Sequence, residues 1–203
     1  MGLGDLLEKD SVFYNKLEAS ANTKAKAILK YMFPNSMAEA MNLWFGKSSE
    51  TDDYIREHFG KMVCQAKEGK YDHWISNPIE CLALIILLDQ FPRNIYRHKV
   101  YFITLFLIST YSFFFILKNQ EDSFLQPEMY AADYKAQGIC AQIVYMNHHR
   151  YLTPLQAVFM PCLVLTHAEN LHLQTLCVTI WNHYVQRKLK PGDPLFLFEN
   201  IFL

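Results

Sequence analysis

The sequence predicts an all-α protein built as an antiparallel array of helical hairpins. Apolar residues recur at helical spacing along most of the 203-residue chain, and a period of about 3.6 residues is the main signal for amphipathic helices. The connections between these stretches are short, which favours antiparallel neighbours. We expect one helical domain over 1–203, which includes an apolar segment within 100–126 and an apolar tail at 190–203 that has no clear period.

Composition narrows the class of protein. Apolar residues make up 51% of the chain, enough to form a sizeable core. The net charge is −1 and the basic residues are dispersed, which argues against nucleic-acid binding. Residues 1–10 are acidic and lack the basic region and apolar core of a signal peptide, so we expect none there. The cysteines form no CxxC pair and lie in apolar patterns, which predicts reduced core thiols in the cytoplasm; they are Cys64, Cys81, Cys140, Cys162 and Cys177.

Two helices precede Pro34, and Asn22 or Thr23 is expected to cap the second. Their apolar positions are Leu6, Leu7, Phe13, Leu17, Ala25, Ile28, Leu29 and Met32. A third helix should run from a cap at Asn35 or Ser36 to Gly46.

A fourth helix should open at 51–53, where acidic residues suit the positive end of the helix dipole, and end at Gly69. Its buried face is predicted to carry Ile55, Phe59, Val63 and Ala66.

The central helix is the most apolar of the chain. Asn77 should cap it, Pro78 occupies its first position, and 82–88 is a continuous apolar run. Pro92 disfavours helical geometry at Phe91, so we expect the helix to kink or stop there.

Three further helices are expected after the apolar segment within 100–126. The first starts at Pro127, the second at 153–154, and the last covers 176–189. One face of the first should be apolar, with Met129, Ala132, Ala136, Ile139, Ile143 and Met146.

A polar cluster surrounds the proline break, and a second cluster follows the apolar run that contains Pro161. The first consists of Asp89, Gln90, Arg93, Asn94 and Arg97, and the second of His167, Glu169 and Gln174. If the two meet, an arginine could pair with Glu169 and His167 could act as a general base. We favour a structural role, because a helix break leaves backbone groups that need partners.

Other chemistry has less support. The histidines show no HExxH spacing, and no GxSxG nucleophile motif is present. We therefore predict no metal and no cofactor. Several aromatic residues could line a peptide groove, although core packing is the more frequent outcome; they are Trp44, Phe45, Tyr71, Trp74, Tyr96 and Trp181.

Four segments occur in a characteristic order: 42–46, 82–97, 127–133 and 160–174. Together they resemble the domain-of-unknown-function family nine-two-four, and the block Asp-Gln-Phe-Pro-Arg-Asn at 89–94 is the most specific match. The resemblance spans about 36–174 and implies an all-helical, tetratricopeptide-like fold. It implies no activity.

The resemblance also marks 100–126 as an insertion where the family has a tight turn. Residues 100–117 are apolar and uncharged, and a stretch of this length is just long enough for a transmembrane helix. The segment could instead be a lid, or a translated intron, because Val100 has a GT-initial codon and Gln126 can be encoded by CAG. We favour the intron, which implies a eukaryotic source, because a span here would separate helices whose apolar faces need each other.

The sequence thus predicts a binding or interaction module for an unknown protein or small-molecule ligand. A small-molecule enzyme that uses the two polar clusters is the alternative. A single-span membrane protein is a third possibility. We expect a cytoplasmic protein that meets a membrane only if 100–117 is a genuine span.

Overall fold

The computed structural model describes residues 12–97, 127–146, 148–153, 155–157, 159, 164–165, 168 and 170–188. Every regular element in these ranges is helical, which confirms the predicted all-α class. Two 3-10 turns, Asp72–Ser76 and His148–Tyr151, lie between helices. The α-helices are α1 (Val12–Ser20), α2 (Thr23–Met32), α3 (Met37–Phe45), α4 (Ser49–Lys67), α5 (Pro78–Leu88), α6 (Gln90–Tyr96), α7 (Pro127–Tyr130), α8 (Asp133–Tyr145) and α9 (Leu171–Lys188).

Side-chain caps set the starts of the helices in the first half. Asn22 caps α2 and Ser36 caps α3, as predicted, by accepting backbone N–H groups. The predicted start of α4 at Thr51 is wrong. Ser48 accepts a hydrogen bond from the Thr51 backbone N–H, so α4 begins at Ser49.

The break after the central helix lies earlier than Pro92. Helix α5 ends at Leu88, and α6 begins at Gln90 after a distorted Asp89 with φ −110° and ψ −65°. Pro92 is the third residue of α6. A proline fits there because backbone N–H groups in the first helical turn need no partner within the helix. The expected kink at Phe91 is therefore corrected to a break at Asp89.

Helix α5 is the centre of the core. Its residues from Cys81 to Leu88 are all buried, and α2, α4, α6 and α8 pack around it. Among the aromatic residues considered for a peptide groove, Trp44, Tyr71 and Trp74 are core residues. Phe45 is 40% exposed. The aromatic peptide groove is thus contradicted for the three buried rings.

The helix predicted from Pro127 is divided into α7 and α8. Ala132 precedes α8, and the predicted apolar face is buried from Met129 to Ile143. Met146 was expected on that face but is 41% exposed, because it follows the last helical residue.

The last helix also starts earlier than predicted, at Leu171 and not at 176. The Asn170 side chain accepts hydrogen bonds from the backbone N–H groups of His172 and Leu173. This is the geometry of a helix cap, which explains the earlier start.

The cysteines follow the prediction in part. Cys81, Cys140 and Cys177 are buried, whereas Cys64 is exposed on α4. Burial raises the pKa of the Cys81 and Cys140 thiols, so both stay protonated near neutral pH. Cys162 lies outside the described residues.

None of the described helices is both long and apolar enough to cross a membrane. The inserted segment 100–126 and the tail 190–203 lie outside the described residues. Their membrane and intron interpretations therefore stay predictions.

Candidate functional site

Helix α6 brings the first predicted cluster into a buried network. One nitrogen of the Arg93 guanidinium, Nη2, lies 3.0 Å from Asp89 Oδ1 and 2.9 Å from Asp133 Oδ2. The Arg93 guanidinium also lies over the ring of Tyr130, 5.1 Å from its centroid. Burial alone would lower the pKa of Arg93, but the charges and hydrogen bonds of the two carboxylates raise it. Arg93 is therefore a permanent cation that joins α6 to the start of α8.

Asp52 holds the other end of α6. Its side chain is fully buried, and Asn94 Nδ2 donates to Asp52 Oδ1 over 2.8 Å. Arg97 Nε lies 3.7 Å from Asp52 Oδ2, and Arg97 Nη1 donates to the Gly46 carbonyl over 3.0 Å. The start of α4, the end of α3 and the end of α6 are thus tied to one another.

Gln90 extends this network. Its Nε2 donates to Asn94 Oδ1 over 3.3 Å, and Trp44 O lies at 3.5 Å, the outer limit of a hydrogen bond. Two sets of contacts thus lie along α6, one around Arg93 and one around Asp52. We call them together the polar corner; it comprises Asp52, Asp89, Gln90, Arg93, Asn94, Arg97 and Asp133.

The second predicted cluster is only partly described. Gln174 Nε2 donates to the Ala168 carbonyl over 2.9 Å, which is a local contact. His167 and Glu169 lie outside the described residues. The five residues predicted around the break do come together.

Sequence reasoning missed two members of the polar corner, Asp52 and Asp133. Asp52 was interpreted as an acidic residue of a first helical turn. It is in phase with the apolar positions Ile55 and Phe59, three and seven residues later, and that phase placed it on the buried face of α4. Asp133 gave no comparable signal, because its role depends on the break between α7 and α8.

Among the described residues, the space found at the polar corner is small. A cavity of about 10 Å³ reaches Asp89 and Gln90, and its other lining residues are Leu82, Ile85, Ile86, Phe159 and Val164. This volume suits one water molecule at most. Within the described part of the chain, no three histidine, cysteine or carboxylate side chains are grouped so that they could hold a metal ion.

A much larger space opens beside the polar corner. This groove has a volume of about 670 Å³ and lies between the end of α2, helix α3 and the start of α4. Its lining residues are Lys30, Tyr31, Pro34, Glu39, Asn42, Leu43, Gly46, Lys47, Ser48 and Thr51. None of them was predicted as a site residue, because the groove forms only when three separate elements meet.

Tyr31 forms part of the groove wall and is fixed by ring stacking. Its ring lies 5.0 Å from that of Tyr54 with an interplanar angle of 15°, and 5.6 Å from that of Phe59. Burial, with smaller contributions from Tyr54 and Asp52, raises the pKa of Tyr31 to about 12. The Tyr31 hydroxyl is therefore protonated at neutral pH and can donate a hydrogen bond.

Comparison with known proteins shows a similarity to one family and gives no activity. Residues 28–102 match a family described as "Bacterial protein of unknown function (DUF924)". A solved structure of a protein of unknown function from Agrobacterium tumefaciens is similar, with a TM-score of 0.55 and 20% identity over 87% of this chain and 96% of that chain. At this identity the similarity shows the fold alone. No curated protein matches the chain. The resemblance deduced from the sequence is thereby confirmed, and the similarity to the DUF924 family covers residues 28–102.

Proposed function

We propose that this protein is a binding module in which the polar corner fixes the helices and the groove receives the ligand. One observation carries the proposal. The groove has about 670 Å³ of open space, within the range of small-molecule pockets, whereas the cavity at the polar corner has about 10 Å³. The ligand is a small molecule or a side chain of a protein partner.

The polar corner supports this function by holding two walls of the groove. Gly46 and Thr51 both line the groove. Arg97 donates a hydrogen bond to the carbonyl of Gly46. Asp52, the neighbour of Thr51, accepts a hydrogen bond from Asn94. A site whose walls are fixed before binding loses less conformational entropy when the ligand arrives.

The enzyme alternative has weaker support from the described residues. Asp89 and Arg93 would have to contact a substrate, but they form an ion pair with each other over 3.0 Å. The remaining groups of that hypothesis, His167 and Glu169, lie outside the described residues. The membrane-anchored alternative rests on 100–117 alone, and carbonate extraction of the expressed protein tests it.

A fragment screen on the full chain tests the proposed function. Asn42 is exposed and lines the groove, so Asn42→Trp should fill part of it without disturbing the core. We expect saturation-transfer NMR to detect fragments that bind the unaltered protein and lose most of their signal with Asn42→Trp.

Asn15→Trp is the matched control, because Asn15 is exposed on α1 and does not line the groove. Circular dichroism should show the same helicity for both variants. Fragments that bind Asn42→Trp as well as Asn15→Trp would place the site elsewhere and contradict the proposal.

A further inference from the structure

Two lysine side chains line the groove, and neither has an acidic partner among the described residues. Lys30 reaches it from α2 and Lys47 from the connection between α3 and α4. Within the described part of the chain, neither lysine makes an ion pair. Other lysines do: Lys70 lies 2.7 Å from Glu68, and Lys135 lies 2.6 Å from Asp72. Two unpaired cations beside one cavity form an attractive site for negative charge.

Most of the other polar lining groups can donate hydrogen bonds. The Tyr31 hydroxyl is protonated, and Asn42 carries an amide. Ser48 Oγ accepts from the Thr51 N–H over 3.3 Å, which leaves its own hydrogen available. The N-terminus of α4 adds a partial positive charge to that of the two lysines.

The groove also has an apolar part and one opposing charge. Pro34 and Leu43 offer apolar surface, so the site can hold an organic body beside a charged group. Glu39 is the carboxylate among the lining residues. A purely anionic ligand should be repelled by Glu39, whereas a ligand with both charges should be attracted by it.

We propose that the groove binds a small organic oxyanion, a carboxylate or a phosphate monoester, through Lys30 and Lys47. This inference rests on the proposed function, because it names the ligand class of the same groove. The oxyanion lies between the two ammonium groups, and the organic body contacts Pro34 and Leu43.

NMR titration at low ionic strength with three matched probes tests the inference: benzoate, phenyl phosphate and the neutral benzyl alcohol. We expect at least one anion to bind about tenfold more tightly than the alcohol, since charge-assisted hydrogen bonds are roughly twice as strong as neutral ones. The comparison between benzoate and phenyl phosphate identifies the preferred oxyanion.

Charge-removing variants then locate the anion. Lys30→Gln and Lys47→Gln should each raise the Kd of the bound anion by about five- to tenfold. Lys61→Gln is the matched control, because Lys61 is exposed on α4 and is not a lining residue, and it should leave the Kd unchanged. Glu39→Gln should strengthen anion binding severalfold.

The contrary results separate this inference from the proposed function. If benzyl alcohol binds as tightly as the anions and Asn42→Trp abolishes that binding, the groove is a binding site, but the proposed preference for an oxyanion is wrong. If Glu39→Gln weakens binding, the oxyanion inference is also overturned, in favour of a ligand that carries a cation. If Asn42→Trp weakens the binding of none of the probes and none of the fragments, both proposals fail.

Discussion

The polar corner and the groove are neighbours joined through Gly46, which lines the groove and accepts a hydrogen bond from Arg97, yet their charges are arranged in opposite ways. In the polar corner Arg93 contacts two carboxylates, and its side chain is only 16% exposed. In the groove Lys30 and Lys47 border open space of about 670 Å³. The difference teaches that the densest polar motif of a sequence can be the part that stabilises the fold. The residues that are accessible to a ligand can be less conspicuous ones beside it.

The energetic reason is desolvation. A charge that leaves water must be matched by an opposite charge and by hydrogen bonds, so a buried arginine needs its carboxylates more than a surface lysine needs a partner. Removing one member of a buried set leaves the others uncompensated. Substitutions in the polar corner should therefore change stability, and substitutions in the groove should change binding.

The largest expected effect is that of Arg93→Ala. This substitution leaves Asp89 and Asp133 without their shared cation, and we expect it to lower the free energy of unfolding by about 3–5 kcal/mol. Urea denaturation followed by circular dichroism measures the loss.

The control for Arg93→Ala is Lys70→Ala. Lys70 and Glu68 form an ion pair in which both side chains are 59% exposed, so its loss should destabilise the protein far less than Arg93→Ala does. Equal losses for the two variants would mean that the polar corner contributes no more than a surface pair.

Gly46→Ala tests the boundary between the two regions. A Cβ atom at this position would lie 2.2 Å from the Asn42 carbonyl oxygen, which forces the backbone to shift. Displacing that backbone also disturbs the Gly46 carbonyl that accepts from Arg97. We expect a loss of about 1–3 kcal/mol, the usual range for overpacking, and weaker ligand binding in the groove.

Gly60→Ala is the contrasting variant, because an added Cβ there meets no described residue within 4 Å apart from the backbone of its own helix. Alanine is the better helix former, so this variant should gain up to about 1 kcal/mol. If Gly46→Ala also stabilised the protein in the same denaturation experiment, the polar corner and the groove would not be coupled through Gly46.

The smallest expected effect comes from deleting 100–126. The helix ends on either side of this segment already lie together: Lys67 Nζ is 4.8 Å from the centroid of the Tyr96 ring and 2.5 Å from the Glu128 carbonyl oxygen. Arg93 and Asp133 are 40 residues apart in the chain, and the deletion of 27 residues would leave 13. Closing the shorter loop is easier by about 1 kcal/mol, so we expect a small gain in stability.

One result would contradict this expectation, and a second measurement tests the intron interpretation. A deletion variant that fails to fold would show that the segment contributes to the domain. Sequencing of cDNA across codons 95–130 tests the intron interpretation directly, because abundant transcripts that retain 100–126 would exclude it.

Much of the fold could be predicted from local signals. Asn22, Ser36 and Asn77 cap their helices as expected, because a side-chain acceptor before an apolar pattern is a local feature. The break after α5 was placed near Pro92, and not at Asp89, because a proline is compatible with both the end of one helix and the first turn of the next.

The candidate site was harder to predict, since it depends on contacts between distant segments. Asp52 and Asn94 are 42 residues apart, and Arg97 and Gly46 are 51 residues apart. The five residues of 89–97 were found because they are adjacent in sequence. Their partners and the whole groove come from other helices, and no local pattern indicates which of many surface lysines will border the same space.

The burial of α5 on all sides has a further consequence for hydrogen exchange. The backbone amides of 82–88 lie under helices on several sides, so we expect them to exchange with deuterium only when the whole domain unfolds. The helices around the groove have solvent on one side, and their amides can exchange through smaller openings. The slowest amides should thus lie just before the polar corner, in the helix that α2, α4, α6 and α8 shield from solvent.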